Sequence, residues 1–309
     1  MSDQGSPRPG GLGRRRHVDG VLLLDKPGGI TSNATVQRVR RLMGAAKAGH
    51  TGTLDPMATG LLPVCFGEAT KFSHLLLDAD KLYLATIRLG VMTTTGDIEG
   101  KVTARGPVNV GRTRIEEVIK EFTGDIVQIP PMYSALKRGG QPLYKLARAG
   151  AQVPRTPRNV TIHDLTLVDR KDADLVLAVH CSKGTYVRVL AEDMGRALGC
   201  GACLVGLRRQ KVGSLKLNAG AVTLSLLESL TFAQRDNLLL PPDAMVASLP
   251  RLDLEEAQAT RICRGLGVEC RGTETEGLAR IYGPECRFLG IAQVTAPGHI
   301  RPRRLIASV

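Results

Sequence analysis

Apolar residues along this chain follow the spacing of strands in some segments and of helices in others, and the two kinds are intermingled. Residues 21–24 form a short apolar run closed by a Pro-Gly-Gly turn, which is typical of a strand. Val36, Val39 and Leu42 then repeat at helical spacing. Further strands are predicted at 61–66, 83–89, 175–180 and 202–207, and further helices at 70–77 and 186–198. The pattern predicts an α+β fold but cannot fix the order of the strands.

Composition divides the 309 residues into three regions. Residues 1–17 are rich in Gly, Pro and Arg and lack periodic apolar residues, which predicts a disordered basic tail. Residues 18–245 hold the mixed pattern and are predicted to form the main domain. Beyond Pro250, residues 250–309 read as short strands separated by Gly/Pro turns. We expect a small β-barrel there, which could bind RNA or mediate dimerisation.

The formal net charge of +13 indicates that any large partner is a polyanion. Residues 1–17 carry +3 of this charge and residues 251–309 carry +2, so most of the excess lies on the central body. A basic body without a long like-charge run favours a folded RNA-binding surface over a disordered basic arm. A soluble basic enzyme that acts on small metabolites is the alternative, although no P-loop or Rossmann motif is found.

The seven cysteines are scattered through the chain, which indicates free thiols in a reducing compartment. Cys200 and Cys203 form a lone C-x-x-C without further ligands at metal spacing, so we expect buried small residues and no metal site. Residues 1–17 lack the apolar core of a secretory signal, and no apolar run approaches the ~18 residues that span a bilayer. The predicted setting is therefore cytoplasmic, without a membrane partner.

A single carboxylate, Asp55, stands in the loop Gly-His-Thr-Gly-Thr-Leu-Asp-Pro at residues 49–56. Glycines permit unusual backbone geometry, and Pro56 disfavours a helical conformation of the residue before it. The loop is therefore expected to present Asp55 rather than to place it along a helix. Taken alone, an Asp-Pro dipeptide in a loop is more often explained by an Asx-turn or a helix cap.

A candidate partner for this carboxylate is Arg188, in the string His-Cys-Ser-Lys-Gly-Thr-Tyr-Val-Arg at residues 180–188. Thr185 is the expected N-cap of the following helix, which puts Arg188 in the first turn, where a cation opposes the helix dipole. A nearby anion would offset that placement, and Lys183 and free N–H groups could help to hold a carboxylate or phosphate. A solvated arginine is the alternative.

Between the two strings lies a segment rich in proline, glycine, tyrosine and basic residues, at about 128–155. Tyrosine rings can stack on bases and lysines can meet phosphates, so this segment is predicted to be an exposed loop that can order against a partner. An ordinary long surface connection would have a similar composition.

The Gly-His-Thr-Gly-Thr-Leu-Asp-Pro string, followed by Ala-Thr-Gly-Leu-Leu, resembles the catalytic loop of the TruB family of tRNA pseudouridine synthases. The resemblance implies a mixed, largely antiparallel sheet flanked by helices, with a C-terminal PUA-like RNA-binding domain. It also implies that the segment at about 128–155 is an insertion that grips RNA. It implies that Asp55 is the catalytic carboxylate and that Arg188 pairs with it. It also implies that Tyr83 stacks on the target base as general base and that Tyr186 lines the uridine pocket.

The resemblance extends to three further positions. It implies an apolar pocket position for Leu207, a contact with extruded bases for His50, and a place near the active site for Lys26. Together with Lys183, these residues are predicted to bind substrate. The reaction that this resemblance implies is the isomerisation of uridine to pseudouridine. Because that isomerisation involves no redox change or energy input, no cofactor is expected.

The predicted activity is isomerisation of the T-loop uridine of tRNA, position 55 in the conventional tRNA numbering, by a monomer that needs no other protein. Two alternatives remain at this stage. The chain could resemble the catalytic subunit of guide-RNA-directed pseudouridylation particles, although the predicted insertion at 128–155 favours the stand-alone bacterial enzymes. It could also act mainly as an RNA-folding chaperone.

Overall fold

The computed structural model describes residues 15–134, 136–151, 153–270, 276–296 and 298–307. Most of the predicted tail, Ala135 of the predicted insertion and residues 271–275 of the C-terminal region lie outside the described residues. Arg16 pairs with Ala45 as an isolated bridge and forms an ion pair with Asp236. Packed structure therefore begins by Arg16, two residues before the expected start.

Helices and strands are intermingled along the chain. The α-helices are α1 (Ser32–Leu42), α2 (Ser73–Leu77), α3 (Arg112–Glu121), α4 (Leu143–Arg148), α5 (Val187–Ala197), α6 (Leu224–Ser229), α7 (Phe232–Asp236) and α8 (Glu256–Cys263). Short 3₁₀ helices span Gly67–Phe72, Pro242–Val246 and Pro284–Cys286.

The strands differ in length from two to fourteen residues. They are β1 (Gly20–Lys26), β2 (Ala48–His50), β3 (Thr59–Phe66), β4 (Lys81–Leu89), β5 (Val91–Thr93), β6 (Val102–Arg105), β7 (Gly124–Gln128), β8 (Lys137–Arg138), β9 (Gln141–Pro142), β10 (Arg158–Lys171), β11 (Asp174–Cys181), β12 (Ala202–Val212), β13 (Leu215–Lys216), β14 (Val222–Thr223), β15 (Arg251–Asp253), β16 (Val268–Glu269), β17 (Gly277–Gly283), β18 (Arg287–Ala296) and β19 (His299–Leu305).

The main sheet runs in the order β14-β1-β3-β12-β4-β11-β10-β7, with β2 paired to β3 and β13 paired to β12. The β14–β1 and β3–β12 pairs are parallel, and the other pairs along this path are antiparallel. The expected mixed, largely antiparallel sheet flanked by helices is thus confirmed. Parallel pairing of β3 with β12 brings two segments that are about 150 residues apart in sequence into contact at the centre of the sheet.

The strands of the main sheet differ in how many of their faces are buried. On β1, Leu22 and Leu24 pack into the core that contains the helices, whereas Val21 and Leu23 pack into a second cluster on the opposite face. Strand β4 alternates instead, with Tyr83 and the apolar residues that follow at every second position directed into the first core. Continuous apolar runs therefore mark the strands covered on both sides, as strand periodicity predicts.

A five-stranded sheet in the order β15-β17-β18-β19-β16 forms a C-terminal half-barrel. Its residues Tyr282, Phe288 and Ile291 belong to the same hydrophobic cluster as Phe72 on the second face of the main sheet. The predicted insertion contains the β8–β9 hairpin and α4. No helix in the part of the chain that the structure describes is long and apolar enough to cross a membrane.

Two local predictions differ from the structure. The helix expected at 70–77 is a 3₁₀ helix up to Phe72 and an α-helix only from Ser73. The hydroxyls of Thr70 and Ser73 donate to carbonyls three residues back, which favours the tighter 3₁₀ turn. Thr185 does not cap α5; its hydroxyl donates to the carbonyl of Ser182, and Tyr186 occupies the cap position without a side-chain cap bond.

Candidate active site

The loop that carries Asp55 is held by buried side chains behind it. The Ser32 hydroxyl, at the start of α1, donates to the Leu54 carbonyl at 2.9 Å and accepts from the Leu54 N–H at 2.8 Å. Gly29 N–H donates to the Pro56 carbonyl at 2.8 Å. These bonds fix the main chain on both sides of Asp55, so its carboxylate is presented by a rigid loop.

Lys26, at the end of β1, also stabilises this loop through hydrogen bonds to its main chain. Its side chain is fully buried, and its ammonium donates to the carbonyls of Pro27 (2.9 Å), Pro56 (3.2 Å) and Ala58 (2.7 Å). Burial lowers the pKa of Lys26 to about 8. Since all three donors of the ammonium are engaged, this placement favours support of the loop over the predicted contact with substrate.

Asp55 and Arg188 are in direct contact, as the sequence predicted. Arg188 Nε donates to Asp55 Oδ2 at 2.9 Å and Nη2 lies 3.3 Å from Oδ1. The arginine also donates to the carbonyls of Thr95 (3.0 Å) and Tyr133 (2.7 Å), and its side chain is only 5% exposed. Among the described residues, no main-chain group is hydrogen-bonded to the Asp55 side chain, which argues against the Asx-turn alternative.

A second carboxylate shares this arginine. Asp97 Oδ2 lies 3.4 Å from Arg188 Nε, and the Asp97 side chain is 4% exposed. Its other oxygen accepts from the Thr95 hydroxyl at 2.6 Å and from the Glu99 N–H at 3.1 Å. Arg188 thus lies between two acids, which accounts for a buried cation in the first turn of α5.

Opposing effects act on Asp55. Burial raises the pKa of Asp55 above its ordinary value, Arg188 opposes that rise, and the Asp97 carboxylate adds to it. The side chain of Asp55 is 35% exposed, so its oxygens remain reachable from the cleft. The result is a half-buried, oriented carboxylate, as a nucleophile or an electrostatic stabiliser requires.

A cavity of about 330 Å³ adjoins this carboxylate. Its walls include Asp55, Tyr83, Tyr186, Arg188 and Leu207, which come from four separate segments of the chain. The volume lies in the range of small-molecule binding sites. The structure therefore brings together five of the eight residues that the sequence selected.

The two tyrosines are held differently. Tyr83 is 8% exposed on β4, and burial raises the pKa of its phenol. Tyr186 is half-buried at the start of α5; its main chain exchanges hydrogen bonds with the Gln128 amide, at 3.0 and 3.3 Å. Burial raises the pKa of the Tyr186 phenol also.

His50 and Lys183 lie outside the cavity wall. His50 ends β2, and its Nδ1 accepts from the Gly52 N–H at 3.2 Å. Burial and the Arg209 cation lower the pKa of His50. Lys183 is exposed on the turn before α5 and forms an ion pair with Asp78 at 3.0 Å. Both remain candidates for contact with a ligand larger than the cavity.

The sequence analysis missed two residues of this site, Asp97 and Arg209. Asp97 follows three threonines and Gly96, a composition similar to that of the Asp55 loop, which was the available signal. Arg209 is two residues beyond Leu207 on β12, so strand periodicity puts both on one face. Within the described part of the chain, no group of His, Cys, Asp and Glu residues could hold a metal ion.

Three family models match successive parts of the chain. The TruB family pseudouridylate synthase N-terminal domain matches residues 40–187, the tRNA pseudouridylate synthase B C-terminal domain matches residues 188–247, and the pseudouridine synthase II TruB C-terminal model matches residues 250–306. The last two matches adjoin near the predicted domain boundary.

Curated relatives are similar over nearly the whole chain. The tRNA pseudouridine synthase B of Aromatoleum aromaticum is 54% identical over 96% of this chain and 95% of its own length. The protein of the same name from Azoarcus sp. is 54% identical over 95% of this chain and 97% of its own length.

Solved structures share the fold. A chain in the "Structure of H/ACA RNP bound to a substrate RNA containing 2′-deoxyuridine" has a TM-score of 0.73 at 24% identity, covering 94% of this chain and 85% of that one. A chain in the "Crystal Structure of a Cbf5-Nop10-Gar1 Complex" has a TM-score of 0.72 at 26% identity, covering 95% and 85%.

Proposed function

The chain belongs to the TruB family and is a tRNA pseudouridine synthase, and from this premise we propose that it isomerises the T-loop uridine at tRNA position 55 with Asp55 as catalytic carboxylate. The observation that carries the proposal is the Asp55–Arg188 pair at the wall of the cavity. Arg188 is buried and fixes the orientation of the Asp55 carboxylate, whose oxygens remain accessible from the cavity and can therefore react with a bound nucleotide.

The isomerisation breaks the bond from ribose C1′ to N1 of uracil and forms a bond from C1′ to C5. The C5 proton is lost and N1 gains one, so no oxidant or cofactor is consumed. An ionised Asp55 can attack C1′ as a nucleophile or stabilise positive charge on the sugar. Arg188 supports both roles because it favours the ionised form of Asp55 and fixes its orientation.

The other cavity residues suit a uracil ring. The Tyr83 and Tyr186 side chains and the apolar Leu207 line the space next to Asp55. In the proposed mechanism Tyr83 stacks on the base and accepts the proton that leaves C5, while Tyr186 and Leu207 frame the ring. A base within folded RNA must leave its stack to reach this carboxylate.

Recognition of the T-arm is assigned to the surface around the cavity. The insertion reaches the site directly, since the Tyr133 carbonyl accepts from Arg188. In this proposal His50, at the end of β2, and the exposed Lys183 contact nucleotides beside the extruded base. We propose that these contacts suffice for a monomer to act on bare tRNA, with the C-terminal half-barrel as a further RNA-binding surface.

The proposal is tested by mapping pseudouridine in unmodified tRNA after incubation with the purified protein. We expect one new pseudouridine, at position 55, without any added guide RNA or protein. Asp55→Asn should abolish it, because the amide is neither nucleophilic nor charged, whereas tRNA binding should persist. Asp25→Asn is the matched control, since Asp25 pairs with Arg208 away from the cavity.

Three outcomes would contradict parts of the proposal. Dependence on a guide RNA would favour the particle-type subunit, and a product at another position would refute T-loop specificity. Normal product formation by Asp55→Asn would remove the carboxylate from the mechanism.

A further inference from the structure

We infer that Arg209 is a second positioning residue of this site, which places a positive charge beside Tyr83 and so beside the phenolate that forms when Tyr83 loses its proton. The inference rests on the proposed function, in which Tyr83 is the base. It assigns a role to a residue that sequence reasoning did not select.

The fold places Arg209 at the centre of the main sheet. In the register of β12 it lies directly opposite Tyr83 on β4 and opposite Gly60 on β3. The pairing with β4 shifts between Arg209 and Lys211, and such bulges re-aim side chains beside active sites. Directly opposed residues are the closest cross-strand neighbours, so Arg209 and Tyr83 meet because the sheet pairs them.

The guanidinium is fixed by main-chain carbonyls on two sides. Nε donates to the Leu61 carbonyl at 2.8 Å and Nη2 donates to the Gly52 carbonyl at 3.0 Å. The side chain also lines the same cavity as Tyr83, its cross-strand partner. Arg209 thus lies between the start of the Asp55 loop and Tyr83.

Its charge has no carboxylate partner. Arg209 is 1% exposed, and among the described residues no acidic oxygen lies within 4.0 Å of its nitrogens. The neighbouring arginines differ in this respect, since Arg188 pairs with Asp55 and Asp97, and Arg208 pairs with Asp25. A buried cation without an anion is unfavourable, so a transient anion beside it is stabilised. A Tyr83 phenolate would be that anion.

The other groups around Tyr83 act in the opposite direction. Burial is the largest influence and raises the pKa of Tyr83, and the Cys181 thiol on β11 and the Asp55 carboxylate raise it further. The charge of Arg209 lowers it. Among the other cations nearby, Lys26 and Lys81 have pKa values lowered to about 8, and Arg188 is paired with Asp55 and Asp97.

The proton balance identifies the step at which this matters. When C1′ is bonded to C5, C6 is double-bonded to N1. The C5–H bond then breaks, its electron pair restores the C5–C6 double bond, the N1–C6 π pair moves to N1, which takes up a proton from solvent, and the C5 proton passes to the Tyr83 oxygen. A phenolate oxygen becomes a phenol in this step, having released its own proton to solvent beforehand. Arg209 favours the phenolate before the transfer, which increases the fraction of enzyme ready to act.

The test is a spectroscopic titration of Tyr83 in the absence of RNA. The ultraviolet absorbance of tyrosinate is followed against pH in the wild type and in Tyr83→Phe, and the difference isolates Tyr83 among the five tyrosines. The same comparison is then repeated with Arg209→Gln added to both proteins, so that the difference between Arg209→Gln and the double variant Arg209→Gln/Tyr83→Phe isolates Tyr83. We expect Arg209→Gln to raise the pKa of Tyr83 by about one unit or more, as for the loss of a neighbouring opposite charge.

Two further variants keep the result interpretable. Arg209→Lys retains a cation and should give a smaller rise, and it serves where Arg209→Gln fails to fold by circular dichroism. Arg208→Gln alters the adjacent residue, which faces Asp25, and should leave the Tyr83 titration unchanged. An unchanged Tyr83 titration in a folded Arg209 variant, or an equal rise in Arg208→Gln, overturns the inference.

Activity provides an independent readout. At a pH below the Tyr83 transition, Arg209→Gln should lower kcat about tenfold for each unit of pKa rise, with little change in KM. Raising the pH should restore part of the loss, whereas a merely structural defect would lower kcat at every pH. The titration needs no substrate, so its result does not depend on which RNA is modified. Discovery of an RNA target other than the T-loop uridine would therefore count against the proposed function and not against the role of Arg209.

Discussion

At the scale of single residues, the shared arginine makes Asp55 sensitive to Asp97. The proposed mechanism requires ionised Asp55, so the rate should fall as pH drops through the pKa of Asp55. Asp97 raises that pKa by like-charge repulsion. Asp97→Asn removes the charge but keeps an oxygen for the Thr95 hydroxyl, so the acid limb of the kcat–pH profile should move to lower pH, by about one unit or less.

Single-turnover rates between acid and neutral pH measure this shift. Asp193→Asn is the control, because Asp193 pairs with Arg196 on the exposed side of α5 and should leave the acid limb in place. An acid limb that stays fixed or moves to higher pH in Asp97→Asn would show that the Asp97 charge does not act on Asp55.

Residues of this site differ in how visible they are in the sequence. Asp55 and Arg188 stand out because each is locally unusual, the first as the single charge in a Gly/Thr loop and the second as a cation in the first turn of a helix. Arg209 is not visible in this way, since a fully buried arginine is rare and its partners are carbonyls supplied by other strands. Lys26 was recognised, but only the structure reveals that its donors are used within the protein.

At the scale of elements, the parallel pairing of β3 with β12 holds the site together. Gly60 has φ +97°, and a Cβ at this position would lie 2.3 Å from the Arg209 carbonyl oxygen. Gly60→Ala should therefore separate the two strands and lower the free energy of unfolding by about 3 kcal/mol, combining an unfavourable φ with overpacking. Pseudouridine formation should fall with it, because the Asp55 loop enters β3 here.

Urea unfolding followed by circular dichroism measures this change. Gly111→Ala is the control, since Gly111 has an ordinary φ of −76° and no atom within 4 Å of the added Cβ. We expect it to change stability by a few tenths of a kcal/mol. Equal stability of Gly60→Ala and the wild type would mean that β3 and β12 are less closely packed at Gly60 than the contact distances indicate.

Hydrophobic spacing predicted the central strands because their side chains are buried in a regular alternation or on both faces. It did not predict the order of the strands, because parallel contact between β3 and β12 depends on residues about 150 positions apart. The 3₁₀ helix at Gly67–Phe72 was also missed, since the hydroxyl bonds of Thr70 and Ser73 that favour it leave no trace in apolar spacing.

At the scale of the whole molecule, the C-terminal half-barrel and the main sheet share one core. The rings of Phe72 and Phe288 lie 5.6 Å apart, and the Tyr282 hydroxyl donates to Asp243 at 2.6 Å. Lys71 also donates to the carbonyl of Leu305, at 2.9 Å. The apolar interface between the main sheet and the half-barrel couples the stability of the two units, because neither can unfold without exposing apolar residues of the other.

Phe288→Ala should therefore destabilise the whole chain, by about 3–5 kcal/mol, as expected for loss of a buried phenylalanine. Calorimetry should show a single transition at lower temperature, and Leu266→Ala, at an exposed position, should leave it nearly unchanged. Two transitions, of which only one moves, would mean that the half-barrel unfolds independently. A single transition would instead imply that damage to the C-terminal half-barrel lowers the population of intact Asp55 sites, although no residue of that half-barrel lines the cavity among the described residues.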